Sequence, residues 1–402
     1  MKLAVLLGDG MADEPLESLG GRTPLEAAAT PNMDLIASRG ICGLARTVPP
    51  GMNPGSDTAN LSVFGYDPKI YYTGRAPLEA LNMGIEMGPD DVAFRCNVVT
   101  ITDGIMSDFS GGHIDSEYAK VVIEELAAAS TLKDIEFYPG VSYRHIVIWR
   151  NFPYSDITEA TPPHDITDRD IAPHLPAGEG ADVLKKIMTL SQEVISSSPK
   201  IKAAASDRKG NPTSVWLWGG GTKPKAETLK ERFGISGYTI SAVDLIHGIG
   251  RAAGLEPLHV EGATGYIDTN YSGKAEALCR ALESADYVYL HVESPDESGH
   301  EGNLDHKLQS IEDFDRLVVG PVWKYLQRFD DFALLVMPDH PTPIAIKTHS
   351  DSPVPFALFR SGGFSSFETG KVSAYSEKEA EQSALFIEEA HRLIELMING
   401  TL

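Results

Sequence analysis

The chain is poor in cysteine and has no long hydrophobic run. Its 402 residues include three cysteines, Cys42, Cys96 and Cys279, which lie far apart in the sequence. Such cysteines form neither a disulfide framework nor a cysteine-based zinc site, as is typical of a reducing compartment. No stretch approaches the ~20 apolar residues of a transmembrane helix. The first apolar run ends at Gly8, too early for a signal peptide. We therefore expect a cytoplasmic protein that does not enter a membrane.

Positive charge is also scarce. The chain has 34 lysines and arginines against 57 aspartates and glutamates, a formal net charge of −23. This balance argues against binding to nucleic acid or to an anionic membrane surface. A Walker A sequence is missing, so any use of ATP would need other machinery. The composition specifies no oligomeric state.

What is present is an alternation of short apolar runs with helical patterns, which predicts an α/β fold with crossover helices. Several runs are apolar at successive positions, as in strands buried on both faces. The strands are predicted at residues 3–7, 143–149, 215–218, 287–292 and 332–337. The helices are predicted at residues 117–129, 183–196, 242–253, 274–284, 304–329 and 377–398.

The length and the distribution of polar residues indicate two domains. At roughly 100–200 residues per domain, the chain is long enough for two. Residues 156–180 are rich in Pro, Thr, Asp and His, typical of a long loop or a domain rim. The residues that could carry chemistry lie before about 76 and after about 238. We predict one α/β domain formed by residues 1–76 plus 238–402 and interrupted by an inserted domain, residues 77–237.

Three predicted strands lead into acidic or histidine residues at their carboxyl ends. These residues are Asp9, Asp296, His300, Asp339, His340 and His349. Ligands bind at the carboxyl ends of strands in open α/β sheets, so we expect the six side chains to converge. Each one alone is more often a cap or a loop residue. The repetition of the same feature at three strand ends favours a common site.

Three carboxylates and three imidazoles in one place need a cation, because they would otherwise repel or desolvate one another. Oxygen and nitrogen ligands without thiolate suit Mn²⁺ or Zn²⁺. Six ligands are enough for two ions roughly 3.5–4 Å apart. The sequence therefore predicts a site for two divalent metals.

Ser56 follows a turn rich in glycine and proline and opens a segment, residues 59–64, that could be helical. In a structural interpretation, Ser56 or Asp57 is the N-cap of this helix. In a functional interpretation, a serine at a helix N-terminus beside a metal is a nucleophile whose hydroxyl is deprotonated by coordination. Backbone N–H groups at that position could receive phosphate. The residues alone leave both interpretations open.

Six segments carry motifs that are specific to one protein family. They are residues 8–11 (GDGM), 55–60 (GSDTAN), 64–68 (FGYDP), 72–75 (YTGR), 291–300 (HVESPDESGH) and 339–343 (DHPTP). The chain resembles the archaeal-type cofactor-independent (2,3-bisphosphoglycerate-independent) phosphoglycerate mutases of the alkaline phosphatase superfamily. The likeness spans nearly the whole chain. It implies a doubly wound, mostly parallel α/β core of the alkaline phosphatase type, with a smaller inserted α/β domain that binds substrate.

The resemblance also implies an activity and a ligand set. The enzyme would be an isomerase of glycolysis that interconverts 3-phosphoglycerate and 2-phosphoglycerate through a phosphoserine intermediate, without 2,3-bisphosphoglycerate. Its two ions would be Mn²⁺, Mg²⁺ or Zn²⁺, with Ser56 as the nucleophile. The ligands of one ion would be Asp296, His300 and His349. The ligands of the other ion would be Asp9, Ser56, Asp339 and His340.

The inserted domain departs from the family pattern. The family has the stretches Arg-Ala-Gly-Arg and Arg-Gly-Ala-Gly, whereas residues 110–113 here read SGGH and residues 218–221 read WGGG. His or Trp does not replace a bidentate guanidinium without cost. This departure matches a bacterial side-branch of the family proposed to be homoserine kinases, which would use the same metals and serine. Both functions stay open at this point.

Few polar residues of the inserted domain are left to contact a small phosphorylated substrate. Our candidates are Arg144, His113, His164 and Asp165. Related mutases also use a lysine near the phosphoryl group, and Lys274 is the candidate for that role.

Overall fold

The structure, a computed structural model, describes residues 1–158, 160–206 and 208–402. Its strands are β1 (Lys2–Gly8), β2 (Ile41–Ala45), β3 (Val92–Thr102), β4 (Ile105–Asp108), β5 (Ile135–Tyr138), β6 (Arg144–Trp149), β7 (Ser214–Thr222), β8 (Gly237–Ile240), β9 (Glu256–Leu258), β10 (Tyr287–Val292), β11 (Phe332–Met337), β12 (Val354–Arg360) and β13 (Phe386–Ile387).

The helices complete the set of regular elements. They are α1 (Pro24–Ala27), α2 (Pro31–Arg39), α3 (Ser56–Val63), α4 (Pro68–Tyr71), α5 (Arg75–Asn82), α6 (Ser116–Ala129), α7 (Ala181–Ser197), α8 (Pro199–Ala205), α9 (Leu229–Phe233), α10 (Asp244–Ala252), α11 (Tyr271–Ala281), α12 (Ser294–Glu301), α13 (Leu304–Phe314), α14 (Gly320–Leu326), α15 (Glu377–Gln382) and α16 (Leu393–Asn399). A π-helical turn, Asp315–Val319, joins α13 to α14. No helix in the described ranges combines the length and the hydrophobicity of a membrane span.

The chain divides into two compact units. The first unit consists of Met1–Tyr72 and Ala226–Leu402, and the second unit is Thr73–Lys225. The domain boundaries predicted from the sequence lie after residues 76 and 237. The first of them therefore falls a few residues inside the second unit, and the other falls inside the first unit.

The first unit is built on an eight-stranded sheet. The strand order is β13-β2-β12-β11-β1-β10-β8-β9, and only the two pairs made by β12 are antiparallel. β1, β10 and β11 are buried along nearly their whole length, which requires cover on both faces of the sheet. One face packs against α2, α11 and α14. This mostly parallel sheet confirms the predicted fold class and places the carboxyl ends of β1, β10 and β11 side by side.

The second unit contains a five-stranded antiparallel sheet. β3 lies at its centre and pairs with β6, β7 and β4. Residues alternate along β3, so Phe94 and Cys96 face a core formed with α6 and α7. Arg95 and Asn97 consequently lie on the opposite face of the sheet.

All five predicted strands are confirmed, and β7 extends furthest beyond its predicted end. The strand predicted at residues 215–218 continues to Thr222. β7 has a bulge opposite Ala93 and Arg95 and pairs with β3 on both sides of it. Gly219 accommodates this bulge with a φ of 62°, which a residue with a side chain rarely adopts. The helices predicted at residues 117–129, 183–196, 242–253 and 274–284 correspond to α6, α7, α10 and α11.

The single helix predicted at residues 304–329 is wrong in its middle. α13 ends at Phe314, and the chain makes a π turn before α14 begins. Pro321 has no backbone N–H to continue the α-helical pattern, and Gly320 instead donates its N–H to the carbonyl of Asp315, five residues back.

The helix predicted at residues 377–398 is also wrong. α15 ends at Gln382, and Ala384 has a positive φ of 56° that is incompatible with a continuing helix. β13 then pairs with β2 at the edge of the large sheet. Helical propensity is a weak preference that backbone pairing of this kind overrides.

Candidate active site

One ligand group lies at the carboxyl end of β10, on α12 and on the segment after β11. It consists of Asp296, His300 and His349, whose ligand atoms lie within 4.8 Å of one another. Asp296 Oδ2 lies 3.2 Å from His300 Nε2, and Asp296 Oδ1 lies 3.6 Å from His349 Nε2. The spacing of Asp296 and His300 is one helical turn, which puts both on one face of α12.

A second ligand group is formed by Asp9, Asp339 and His340, also within 4.8 Å of one another and all buried. His340 Nε2 lies 3.5 Å from Asp9 Oδ1 and 3.4 Å from Asp339 Oδ2. The rings of His340 and His349 lie 4.2 Å apart between centroids, so the two groups are adjacent. The six residues predicted from three strand ends therefore do converge.

Ser56 lies at the second group, as the first residue of α3. Its Oγ is 3.2 Å from His340 Nε2. The neighbouring Asp57 accepts hydrogen bonds from the backbone N–H of Thr58 and from the Tyr72 hydroxyl. The N-cap of α3 is Gly55, so Ser56 is the first residue inside the helix and not its N-cap.

The electrostatics of the two groups fit cations. Burial, together with the charges of Asp339 and Asp296, raises the pKa of Asp9 well above its ordinary value. Among the described residues, the buried Oδ1 of Asp9 has no hydrogen-bond partner. Burial also lowers the pKa of His340. A carboxylate oxygen without a partner, beside an imidazole whose pKa is lowered, is a donor set that suits a divalent cation.

The first ligand group, Asp296, His300 and His349, has the opposite pattern, because the pKa of its carboxylate is lowered. Burial acts to raise the pKa of Asp296, but hydrogen bonds from His300 and His349 outweigh it and hold that pKa well below its usual range. The bond to Asp296 raises the pKa of His300 to about 9. A divalent ion would replace these protons as the partner of the carboxylate.

Three residues that the sequence analysis missed support the ligands from behind. Asn60 donates to Asp339 Oδ2 (2.7 Å) and to the carbonyl of Ser56 (2.8 Å), and Tyr289 donates to Asn60 Oδ1 (2.5 Å). His291 Nε2 lies 2.8 Å from Asp9 Oδ2. Such outer contacts fix the orientation of metal ligands. Two signals could have revealed them: Asn60 is one helical turn after Ser56, and residues 289 and 291 share one face of β10.

Lys274, the candidate for a lysine near the phosphoryl group, is fully buried. Its ammonium donates to the carbonyl of His291 (3.2 Å), and burial lowers its pKa to about 8. It therefore contacts the backbone of β10 behind the site.

The second unit has a polar cluster on the sheet face opposite its core. The guanidinium of Arg95 lies over the ring of Trp218, 4.3 Å from its centroid, and the ring of His164 contacts the Trp218 ring edge to face, with 5.4 Å between centroids. Arg144 is directly opposite Asn97 in the β3–β6 register, and Trp218 donates to Asn97 Oδ1 (3.1 Å). Two of the predicted substrate contacts, Arg144 and His164, are thus parts of one surface.

This surface has more positive than negative charge. Glu79 pairs with Arg95 (2.9 Å) and Arg75 (3.1 Å), both through Nε. Burial acts to raise the pKa of Glu79, but the charges of Arg95, Arg75 and Arg144 hold it below its ordinary value. The sequence analysis named Arg75 only within the motif at residues 72–75 and did not name Arg95, although the alternation of Arg95 with Phe94 and Cys96 indicates a polar face.

The other two predicted substrate contacts are both exposed. Asp165 is exposed and lies 3.7 Å from its neighbour His164. His113 is exposed in the turn after β4, where its N–H donates to Ser110 Oγ (2.9 Å).

Comparison with known proteins identifies relatives along the entire chain. A family model described as 2,3-bisphosphoglycerate-independent phosphoglycerate mutase matches residues 37–200. A Geobacter sulfurreducens protein named "Probable 2,3-bisphosphoglycerate-independent phosphoglycerate mutase" is 52% identical over 99% of this chain and 100% of its own length. A Methanosarcina barkeri protein with the same name, without "Probable", is 47% identical over 100% of both chains. The chain belongs to this mutase family.

A solved structure supports the fold. A protein from Pyrococcus horikoshii has a TM-score of 0.81 and 28% identity, covering 99% of this chain and 96% of its own. Membership of the mutase family confirms the resemblance found in the sequence. The region matched by the family model includes Ser56 and most of the second unit, where the sequence departs from the expected arginine stretches.

Proposed function

We propose that this protein is a metal-dependent phosphotransferase that interconverts 3-phosphoglycerate and 2-phosphoglycerate through a phosphoserine on Ser56. The observation that carries the proposal is the placement of Ser56 Oγ, 3.2 Å from His340 Nε2 at the first turn of α3. A serine in this position is beside the ligand group of Asp9, Asp339 and His340, where a bound metal ion would activate its hydroxyl. The phosphoryl group stays on the enzyme between the two half-reactions, so 2,3-bisphosphoglycerate is not required.

Two divalent ions fit the two ligand groups. Asp296, His300 and His349 would hold one ion. The residues that would hold the other are Asp9, Ser56, Asp339 and His340. When bound, the ions offset the buried carboxylates and lower the pKa of the serine hydroxyl. We expect the ions to be Mn²⁺, Mg²⁺ or Zn²⁺, and we predict manganese among these. We also predict that the protein is cytoplasmic.

The reaction consists of two reciprocal phosphoryl transfers. In the first, Ser56 Oγ forms a bond to phosphorus while the bond to the 3-oxygen of the substrate breaks. The serine loses its proton, and the departing glycerate oxygen gains one. In the second, the 2-oxygen of the retained glycerate forms a bond to phosphorus while the bond from phosphorus to Ser56 Oγ breaks, and the proton of the 2-hydroxyl goes to Ser56 Oγ. The N-terminus of α3 favours the negative phosphoryl group throughout.

The positive cluster of the second unit would bind the anionic ends of phosphoglycerate. We expect Arg75, Arg95 and Arg144 to provide the guanidinium groups that the missing arginine stretches would otherwise provide. Guanidinium groups bind carboxylate or phosphate through paired hydrogen bonds. His164 borders the same cluster through Trp218, and contacts of His113 and Asp165 with substrate remain predictions.

The homoserine-kinase alternative uses the same metals and Ser56 but a nucleotide donor. Homoserine carries one positive and one negative charge, whereas phosphoglycerate is a multiple anion. Three guanidiniums around the single carboxylate of Glu79 suit the multiple anion better. We therefore favour the mutase.

The deciding experiment measures 2-phosphoglycerate formation, coupled to enolase, on chelator-stripped protein with Mn²⁺ restored. We expect metal-dependent turnover and phosphate label on Ser56 after rapid quenching with labelled 3-phosphoglycerate. ATP- and metal-dependent phosphorylation of L-homoserine, without mutase turnover, would establish the alternative. Absence of both activities in protein that binds two ions would refute the two functions together.

Metal occupancy should also control substrate binding. The protein has a net charge of −23, so its overall field repels an anionic substrate. The ions and the local guanidiniums must supply the attraction. We expect calorimetry to show much weaker 3-phosphoglycerate binding to stripped protein, and equal affinity with and without Mn²⁺ would contradict the proposal.

A further inference from the structure

Lys307, on α13, is a buried lysine outside both ligand groups. Its side chain is fully buried, which is rare for lysine unless the charge is paired. The ammonium donates to Asp13 Oδ2 (2.7 Å), to the carbonyl of Thr342 (2.8 Å) and to the carbonyl of Ala12 (3.3 Å). The three N–H donors of the ammonium thus have three acceptors, and its positive charge is paired with the carboxylate of Asp13.

The acceptors belong to segments that carry metal ligands. Ala12 and Asp13 follow β1 and Asp9, and Thr342 is two residues beyond His340 in the segment after β11. Lys307 itself is on the helix that follows α12, the helix of Asp296 and His300. One ammonium therefore ties two ligand-bearing segments, those after β1 and β11, to the helix that follows α12.

Other bonds make this junction stiff. Asp13 Oδ2 also accepts from the N–H of Ile344 (3.1 Å), and the N–H of Thr342 donates to the carbonyl of Ala12 (3.2 Å). The backbone N–H of Asp13 donates to Glu377 Oε1 (3.1 Å), whose other oxygen accepts from Thr23 Oγ1 (2.7 Å).

Thr342 connects Lys307 to the metal ligands by direct contacts. Its hydroxyl donates to Asp296 Oδ1 and lies 3.3 Å from His340 Nδ1. Thr342 therefore contacts one ligand of each group, while its carbonyl is held by Lys307. A shift of this backbone would move contacts of both groups at once.

We propose that Lys307 is a positioning residue, whose ammonium holds the segments after β1 and β11 against α13 and so preorganises both metal sites. The inference rests on the metal site of the proposed function and is independent of its substrate. No apolar side chain could satisfy the two backbone carbonyls and Asp13 together. Loss of the ammonium would release ligand-bearing segments without removing a ligand.

The test is Mn²⁺ affinity of chelator-stripped protein, measured by calorimetry and by the metal-induced rise in Tm. Lys307→Met should weaken Mn²⁺ binding by ~10–100-fold, as loss of an outer contact to metal ligands does. Saturating Mn²⁺ should restore most of the kcat of this variant. It should not restore Ser56→Ala, which separates failure of the inference from failure of the proposed function.

Lys307→Met leaves the buried Asp13 carboxylate without its cation, and the protein could fail to fold. The double variant Asp13→Asn/Lys307→Met removes both charges and keeps an oxygen to accept from Ile344. It should fold and still bind Mn²⁺ weakly. Asp13→Asn alone, which loses one charge-assisted bond, should show a smaller loss in the same titration.

Val322→Ala is the matched control. Val322 is fully buried in α14 and belongs to the core of the same unit, so its truncation lowers Tm by cavity formation. We expect its Mn²⁺ affinity to match that of the unaltered protein. Affinity within about twofold of the unaltered protein in the folded Lys307 or Asp13 variants would overturn the inference. Equal weakening in Val322→Ala would overturn it as well, because general destabilisation would then explain the loss.

Discussion

The sites of the two units carry an excess of charge of opposite sign. The first unit gathers the carboxylates of Asp9, Asp296 and Asp339 with neutral or hydrogen-bonded histidines, and the excess is negative. The second unit gathers guanidiniums around Glu79, and the excess is positive. The first excess calls for cations and the second for an anion. A metal-dependent enzyme acting on an anionic substrate needs both.

The units also differ in how their sites are built. In the first unit, the side chains follow the ends of parallel strands and lie in turns and helix starts. In the second unit, Arg95 and Arg144 project from one face of an antiparallel sheet, while Arg75 and Glu79 lie on α5. A strand-end site is visible in the sequence as clustered polar residues, whereas a sheet-face site is interleaved with apolar ones.

The largest expected effect belongs to the first unit. Ser56→Ala should lower kcat by on the order of 1000-fold or more, because removal of a nucleophile leaves no phosphoryl acceptor. The enolase-coupled assay and rapid-quench labelling measure the loss. Ser62→Ala is the control on the same helix, since Ser62 donates to the carbonyl of Thr47 (2.5 Å). Undiminished turnover in Ser56→Ala would refute the serine relay.

The next largest effect tests whether the stability of the second unit depends on the carboxylate of Glu79. Glu79→Gln should cost about 3 kcal/mol of unfolding free energy at pH 7, because it leaves buried positive charge unpaired. The folded pKa of Glu79 lies below its ordinary value. Its contribution is therefore present above that ordinary value, 4.5, and is lost as the pH falls through the folded pKa.

Urea unfolding of both proteins between pH 3 and pH 7 would measure this difference. Glu79→Gln should have a flatter pH dependence in the acid range. Added inorganic phosphate should recover part of the lost stability, because an anion takes the place of the carboxylate. A variant as stable as the unaltered protein at pH 7 would contradict the assigned charge balance.

A smaller effect separates the roles of the units. Arg95→Met and Arg144→Met should each raise the KM for 3-phosphoglycerate by ~10–100-fold, since a hydrogen bond to a charged group contributes ~1.5–3 kcal/mol. Neither should change Mn²⁺ affinity. Arg150→Met is the control in the same unit, because Arg150 pairs with Asp91 and Glu136. An unchanged KM in both variants would show that this surface does not bind the substrate.

The smallest effect concerns the support behind the metal ligands. Tyr289→Phe removes the donor to Asn60, which in turn holds Asp339, and should weaken Mn²⁺ binding by ~10-fold. Tyr287→Phe is a close control, because Tyr287 is on the same strand and its buried hydroxyl has no partner among the described residues. Isothermal titration of both variants decides the point, and identical affinities would show that Asn60 does not need Tyr289.

Much of the fold was predictable because buried parallel strands have a distinctive composition. Residues 287–292 and 332–337 are apolar without interruption or nearly so, and the structure begins and ends β10 and β11 at the same residues. The errors lie where tertiary contacts override local pattern. β13 interrupts a helical pattern because its backbone pairs with β2, and Pro321 divides a long helix through a π turn.

The sequence by itself determined the α/β class, the strand ends and the six residues Asp9, Asp296, His300, Asp339, His340 and His349, because burial and strand direction are local properties of composition. Only the tertiary structure decided which of them form a ligand group together and which other residues hydrogen-bond to them. Lys307 and Asp13, or Arg95 and Glu79, are distant in sequence or hidden among apolar neighbours. Their pairing is set by how helices and strands pack, since buried charges are tolerated only where the fold brings a partner.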